Sequence, residues 1–293
     1  MTAPRSGLLV CAKPPGPTSH TAVVRVRRAL AAAKAGHAGT LDPFASGVLL
    51  VGLGRATRLL EYLVGHPKTY RARIRLGEQR DTLDRTGRIT ATAPVPALSQ
   101  GEIERLLDRF RGTLIQVPPA YSAVKVGGQA LYRRARRGER VEPPARTVEV
   151  RRLDLIAVDL PEIEVEVECS AGTYIRSLAR DLGRAAGCGA VLWELERVRS
   201  GPFSLGDAVP LDEVEELGTA AWERVLPPER MVEGLPRVEI GPDEAARLAH
   251  GTAVEWAGPP REGPVAVFGP AGELTAVGRV EKQRLRPVKV FAA

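Results

Sequence analysis

The sequence predicts an α+β protein: a large domain over residues 1–234 and a small β-rich domain over residues 235–293. Three observations carry that reading. A length of 293 residues corresponds to roughly two domains of ~150 residues each. Extended and helical patterns are interspersed through the first part. From about Leu235 short strands punctuated by Gly and Pro take over, with one helix near Asp243 to His250. Hydrophobic residues at 44% and charged residues at 26% are those of a folded chain and exclude a mostly disordered one.

Gly7 to Ala12 reads as a short buried strand. The loop KPPGPTS follows, then a helix that Thr18 or Ser19 caps and Gly36 closes. Val23, Val24, Val26 and Leu30 form its apolar side, and Arg25 and Arg28 share its polar side. The glycine-flanked loop GHAGTLDPFAS leads to a strand from Gly47 to Leu53. Lys68 to Leu76 alternates, with Tyr70, Ala72, Ile74 and Leu76 facing one way and Arg71, Arg73 and Arg75 the other. Ser99 and Glu102 spell a capping box for a helix ending near Arg111. Two short extended stretches precede the cationic run LYRRARRGER, which holds Arg133, Arg134, Arg136, Arg137 and Arg140. Thr147 to Val158 and Ile163 to Cys169 are strands, the second presenting Glu164, Glu166 and Glu168 to solvent. The turn SAGTY opens a helix through Leu178 and Leu182, closed near Gly187, and acidic helices lie between Leu211 and Arg224.

No segment approaches the ~18 apolar residues of a membrane span. The N-terminus MTAPRSGLLVCAKPPG lacks a signal-peptide layout, so the expectation is a soluble cytoplasmic protein. Cys11, Cys169 and Cys188 form no CxxC pair, and their odd number argues against a disulfide framework or a structural zinc.

Charge is unevenly placed. Residues 1–150 carry +14, residues 151–250 carry −9 and residues 251–293 carry +2. A basic half is the footprint of a polyanion binder, although a solvated, arginine-rich surface has the same composition. Within residues 1–60, eight basic residues accompany a single acid, Asp42. Cations close to that carboxylate would hold its pKa down and keep it ionised, the state a nucleophile needs. Asp before Pro is also a common turn starter, and the residues by themselves leave both readings open.

Cofactor motifs are missing. Gly52 and Gly54 begin a GxGxx pattern without its third glycine, and GVLLVG lacks the Lys and Ser/Thr of a P-loop. HExxH, HxE…PCxxC and GxSxG do not occur. Nucleotide hydrolysis, dinucleotide redox chemistry, zinc deamination and serine-hydrolase chemistry all lose support. What remains is chemistry that side chains run alone, on a polyanion.

GHAGTLDPFASGVLLVGLGRATR, with KPPGPTS before it and KTYRARIRLG after it, resembles the signature region of the bacterial tRNA pseudouridine-55 synthases, the TruB-type family. DTLDRTG, PPAYSAVKVGGQALYRRARRGE and CSAGTYIRSLARDLGRAAGCGA follow in the same order. The resemblance implies a catalytic domain on a mixed, largely antiparallel sheet flanked by helices. An RNA-gripping insertion would span about residues 118–145, and a small β-barrel-like PUA domain would occupy the C-terminus. It implies isomerisation of one uridine in the T-loop of tRNA: the C1′–N1 bond is cut and the uracil rejoined through C5. No metal or cofactor is implied, and neither a protein partner nor a guide RNA is required of an expected monomer.

By the same resemblance, Asp42 in GTLDP matches the catalytic aspartate. Tyr70 matches the tyrosine that stacks on the target base, its phenol a further candidate proton acceptor. Arg176 matches the arginine paired with the catalytic carboxylate, and Tyr174 a substrate-contacting tyrosine. His37 matches the histidine that fills the gap left by flipped nucleotides, and Leu195 an apolar residue lining the uracil pocket. Lys13 is expected to support the active-site loop. Asp81 and Asp84 match an acidic pair near bound RNA, where Leu83 stands in place of a commoner small polar residue. Arg133, Arg134, Arg136 and Arg137 are candidate contacts to the RNA backbone. The alternatives are an RNA-folding helper whose modification is secondary and a guide-dependent relative of archaea and eukaryotes.

Overall fold

The computed structural model describes residues 5–121 and 143–291, with the backbone alone at 125–126 and 129–130. A ten-stranded sheet organises the first part. Its main path runs Val209–Pro210, Gly7–Lys13, Ser46–Leu53, Ala190–Ser200, Lys68–Leu76, Glu162–Cys169, Arg146–Asp159, Gly112–Gln116. Most neighbours are antiparallel, but Ala190–Ser200 runs parallel to Ser46–Leu53 and Gly7–Lys13 parallel to Val209–Pro210. The sheet is therefore mixed and largely antiparallel.

Burial explains the two kinds of strand. GLLVCA and GVLLVG are unbroken apolar runs because helices or sheet cover both of their faces. On one side Ala22, Val23 and Val26 of the helix Ser19–Ala29 cover Leu9, Cys11, Leu49 and Val51. On the other, Leu8, Val10 and Leu50 share a core with Ala266, Phe268 and Val277 of the C-terminal sheet. Lys68–Leu76 alternates because only one face is buried. There Tyr70, Ala72 and Ile74 meet Ile103 and Leu107 of the helix Gln100–Asp108 and Leu178 and Leu182 of the helix Ile175–Ala185. Its arginines stand on the other face beside glutamates of the neighbouring strands, Arg71 with Glu166 and Arg75 with Glu162.

The capping box at Ser99 and Glu102 is present. Three local expectations are corrected. The first helix stops at Leu30 rather than Gly36, because Ala31 turns left-handed at φ 48°. Residues Ala35–Ala38 then form a strand against Ser46–Leu53, so the loop is only Gly39 to Ala45. The third is the strand Ala190–Ser200, which lies at the centre of the sheet and was not expected. Its sequence AVLWELERVRS carries four charges, a pattern that by itself does not read as a central strand.

The C-terminal sheet has five strands in the order Arg237–Glu239, Pro264–Phe268, Leu274–Glu281, Arg284–Val290, Val254–Glu255. Its two end strands do not pair with each other, so it is an open, curled half-barrel rather than a closed one. No helix among the described residues is long and apolar enough to cross a membrane.

Candidate active site

Asp42 sits in the short loop between the strands Ala35–Ala38 and Ser46–Leu53. Buried polar side chains hold that loop from several directions. The Ser19 hydroxyl donates to Leu41 O at 2.9 Å and accepts from Leu41 N at 2.8 Å, clamping the residue before Asp42. Thr18 is therefore the helix cap, and Ser19 serves the loop instead. Lys13 Nζ donates to the carbonyls of Pro14 (2.8 Å), Pro17 (3.0 Å) and Pro43 (3.3 Å), joining KPPGPTS to the residue after Asp42. It is buried, and desolvation lowers its pKa to about 8. From the adjacent strand Arg197 donates to Val48 O (2.7 Å), Gly39 O (3.1 Å) and Thr40 O (3.4 Å).

The Asp42 carboxylate meets Arg176 from the first turn of the helix Ile175–Ala185. Arg176 Nη2 donates to Asp42 Oδ1 at 2.9 Å, and Nε lies 2.9 Å from Oδ2, in ionic contact but off the angle of a hydrogen bond. The rest of the guanidinium is also engaged. Nη1 donates to Thr82 O (3.0 Å) and lies 3.5 Å from Asp84 Oδ2, while Nη2 donates to Tyr121 O (3.1 Å). Asp84 is itself buried and accepts from Thr82 Oγ1 (2.8 Å), Thr86 N (3.0 Å) and Thr86 Oγ1 (2.6 Å). Leu83, at φ 63°, occupies a left-handed position that suits Gly or Asn better than Leu.

Cations do surround Asp42, but its pKa moves up. Burial raises it most, Arg176 pulls it back, Asp84 raises it again, and Lys13 lowers it. The arginine is thus what opposes desolvation and favours the ionised carboxylate, rather than a general field that depresses the pKa below normal.

Tyr70 is buried on the apolar face of Lys68–Leu76, as the alternation predicts, directly opposite Arg197 of the neighbouring strand. Burial raises the phenol pKa. Leu195 is buried in the same core cluster. A cleft of about 380 Å³ lies next to the Asp42 loop, lined by Pro15, Phe44, Arg73, Arg85, Glu194 and Leu195 among others. Tyr174 precedes the helix Ile175–Ala185, with the Arg146 guanidinium 5.3 Å from its ring centroid. Buried Gln116 clamps its backbone, accepting from Tyr174 N (2.8 Å) and donating to Tyr174 O (3.1 Å).

His37 lies on the strand Ala35–Ala38, not in a free loop. Its Nδ1 is buried without a partner among the described residues, and burial lowers its pKa, leaving the imidazole neutral at pH 7. Asp81 accepts from Arg88 N at 2.9 Å, at the outer end of the same turn. Arg133, Arg134, Arg136, Arg137 and Arg140 lie outside the described residues. Several other cations of the basic half are paired within the chain: Arg25 with Asp212 and Glu215, Arg73 with Glu162 and Glu194, Arg80 with Glu78. Arg197, Ser19 and Gln116 as loop-holding residues were not found from sequence. The signal for Arg197 was its two-residue spacing from Leu195, visible only once that segment is known to be a strand.

Residues 27–175 match the family described as TruB family pseudouridylate synthase (N terminal domain). Residues 176–233 match the tRNA pseudouridylate synthase B C-terminal domain, and residues 235–292 match tRNA Pseudouridine synthase II, C terminal. A tRNA pseudouridine synthase B of Symbiobacterium thermophilum is 48% identical over 250 residues, covering 84% of this chain and 82% of its relative. Another, of an Arthrobacter species, is 41% identical over 304 residues, covering 98% and 97%. Among solved structures, a chain of a Cbf5-Nop10-Gar1 complex superimposes with a TM-score of 0.76 at 31% identity, covering 98% of this chain and 84% of that one. A chain of an H/ACA RNP bound to a substrate RNA containing 2′-deoxyuridine gives 0.75 at 29% identity, covering 98% and 85%. With its family matches running from residue 27 to residue 292 and the Asp42 loop joined to Arg176 of the helix Ile175–Ala185, this chain belongs to the TruB family of pseudouridylate synthases.

Proposed function

We propose that the chain converts one uridine in the T-loop of tRNA, position 55, to pseudouridine by flipping the base into the Asp42 site, with no cofactor. The observation that carries this reading is the Asp42–Arg176 pair, a carboxylate positioned by a guanidinium that is itself 5% exposed. The product needs the C1′–N1 bond broken, a C1′–C5 bond formed, the C5 proton released and a proton taken up at N1. An ionised carboxylate serves whether it addresses the sugar carbon, uracil C6 or the 2′ hydrogen first. Arg176 favours that state and fixes the direction of the oxygens through a charge-assisted contact.

A base stacked inside the T-loop does not reach a half-buried carboxylate, so it must leave the stack at a cost of a few kcal/mol. Tyr70 supplies an aromatic surface, Leu195 an apolar wall, and Tyr174 a further contact to the nucleotide. His37, whose Nδ1 has no partner among the described residues, meets the loop from which the base departs. Lys13 supports the loop and, held by three carbonyls, takes no chemical part. Asp84 steadies Arg176. Arg133, Arg134, Arg136 and Arg137 grip phosphates, and the acidic stretch 201–250, at −7, faces away from the backbone. The C-terminal sheet acts as a PUA-type RNA-binding domain, and the enzyme works as a cytoplasmic monomer.

The test is release of tritium from C5-labelled uridine in a tRNA transcript. Asp42→Asn should abolish release yet keep tRNA affinity within about tenfold, equivalent to about 1.4 kcal/mol; measurable turnover by the variant would refute the assignment. The solved neighbours that sit in RNA–protein assemblies motivate a second reading, a guide-dependent enzyme. Purified chain and unmodified tRNA alone decide it, since turnover excludes an obligatory guide.

A further inference from the structure

Arg197 is among the largest fully buried side chains of the protein, 1% exposed. Among the described residues it has no carboxylate partner. Its donors go to three backbone carbonyls, those of Val48, Gly39 and Thr40, and across the strand pair it stands directly opposite Tyr70. A buried guanidinium without a counter-charge is a poor choice for stability alone, because an apolar side chain of similar volume incurs no desolvation cost. The contacts indicate another purpose.

Gly39 and Thr40 lead into Leu41 and Asp42, and Val48 lies on the strand that leaves the loop. Tyr70 belongs to a different strand, on the other side of Ala190–Ser200. Arg197 Nη1 and Nη2 hold the carbonyls on the near side of Asp42, and Nε holds the far side. Tyr70 is the direct cross-strand neighbour of Arg197, so the two side chains share one register of the sheet. Gly47 completes the fit: at φ 106° it brings the chain onto the backbone of Arg197, where any Cβ would stand 2.3 Å from the Arg197 carbonyl oxygen.

We infer that Arg197 is a positioning residue for the isomerisation: one planar, permanently charged group sets the Asp42 loop and the Tyr70 phenol in a fixed mutual relation. This rests on the proposal above that Asp42 and Tyr70 act on the uridine. Arg197 touches no substrate; its effect passes through the loop carbonyls and the phenol. Lysine, a point charge without a fork, reproduces only part of it.

The experiment measures kcat and KM for tritium release, tRNA affinity and melting temperature for wild type, Arg197→Lys and Arg197→Met, each also in a Tyr70→Phe background. Arg197→Met should lower kcat on the order of 100-fold, the scale of a slightly misplaced catalytic group. KM and tRNA affinity should stay within about threefold, because the loss is confined to the transition state. Arg197→Lys should recover part of kcat. The losses from Arg197 and Tyr70 should combine to less than their product, because the two act as one unit. If Arg197→Met does not fold, Arg197→Lys carries the test. A folded variant with kcat within about twofold of wild type, a loss confined to KM, or fully multiplicative losses would overturn the inference. A wild-type chain that releases no tritium would overturn the functional reading first, before any variant is compared.

Discussion

Replacing Arg176 should move the acid limb of the rate profile to higher pH. Asp42 already has a raised pKa, because burial disfavours the carboxylate and Asp84 adds a like charge, with Arg176 the leading force in the other direction. Under the proposed function activity needs the ionised form, so the rate should rise with pH through the pKa of Asp42. In Arg176→Gln the lowering contribution disappears, the pKa climbs, and the limb shifts up. Opposite charges with centres about 4 Å apart interact by about 4 kcal/mol at an effective dielectric of 20. The Asp42 side chain is 28% exposed, and water screens part of that, so we take about half. Roughly 2 kcal/mol at 1.36 kcal/mol per unit is about 1.5 pH units. Tritium release measured as kcat/KM from pH 4.5 to 9 reads the limb independently of its plateau height. Arg176→Lys keeps the charge without the fork and should shift it less. A limb that stays in place, or moves down, would refute the assignment of Arg176 as the group that keeps Asp42 ionised.

Gly47→Ala should lower the melting temperature by several degrees, since the position has φ 106° and a Cβ there would meet the Arg197 backbone at 2.3 Å. At about 2 kcal/mol of strain this is a shift of about 4–8 °C, read by calorimetry; an unchanged midpoint would show that the two strands separate freely. Neutralising Arg133, Arg134, Arg136 and Arg137 together should flatten the dependence of log affinity on log salt by about 0.9 for each phosphate that the variant no longer neutralises. A slope equal to wild type would make that run a solvated surface. Pairing of Arg25, Arg73 and Arg80 inside the chain means the wild-type slope should itself be smaller than a charge of +14 suggests.

Much of the local structure was legible because its cause is local. The two-residue alternation of Lys68–Leu76 needs only one buried face, and it placed Tyr70 inward without reference to any partner. The Ser99–Glu102 box is a contact between residues three apart. The strand Ala35–Ala38 was missed because its AGHA has no pattern of its own and exists through pairing with Ser46–Leu53. Ala190–Ser200 was missed because its charges contradict a central strand until Arg73 and Arg85 meet Glu194 and three carbonyls meet Arg197.

By itself the sequence determined the fold class, the basic first half and the absence of familiar cofactor motifs, which are written in composition and short-range spacing; the candidate site residues, Asp42, Tyr70 and Arg176 among them, came from the resemblance to the TruB-type family. The tertiary structure brings Asp42 and Arg176, 134 residues apart, into the contact that the resemblance implied, and it alone decided that burial raises the aspartate's pKa and that Ser19 and Arg197 join the expected Lys13 in holding its loop. The physical reason is that desolvation and long-range hydrogen bonds depend on what surrounds a group in space, and a chain read in order carries no record of that until it is folded.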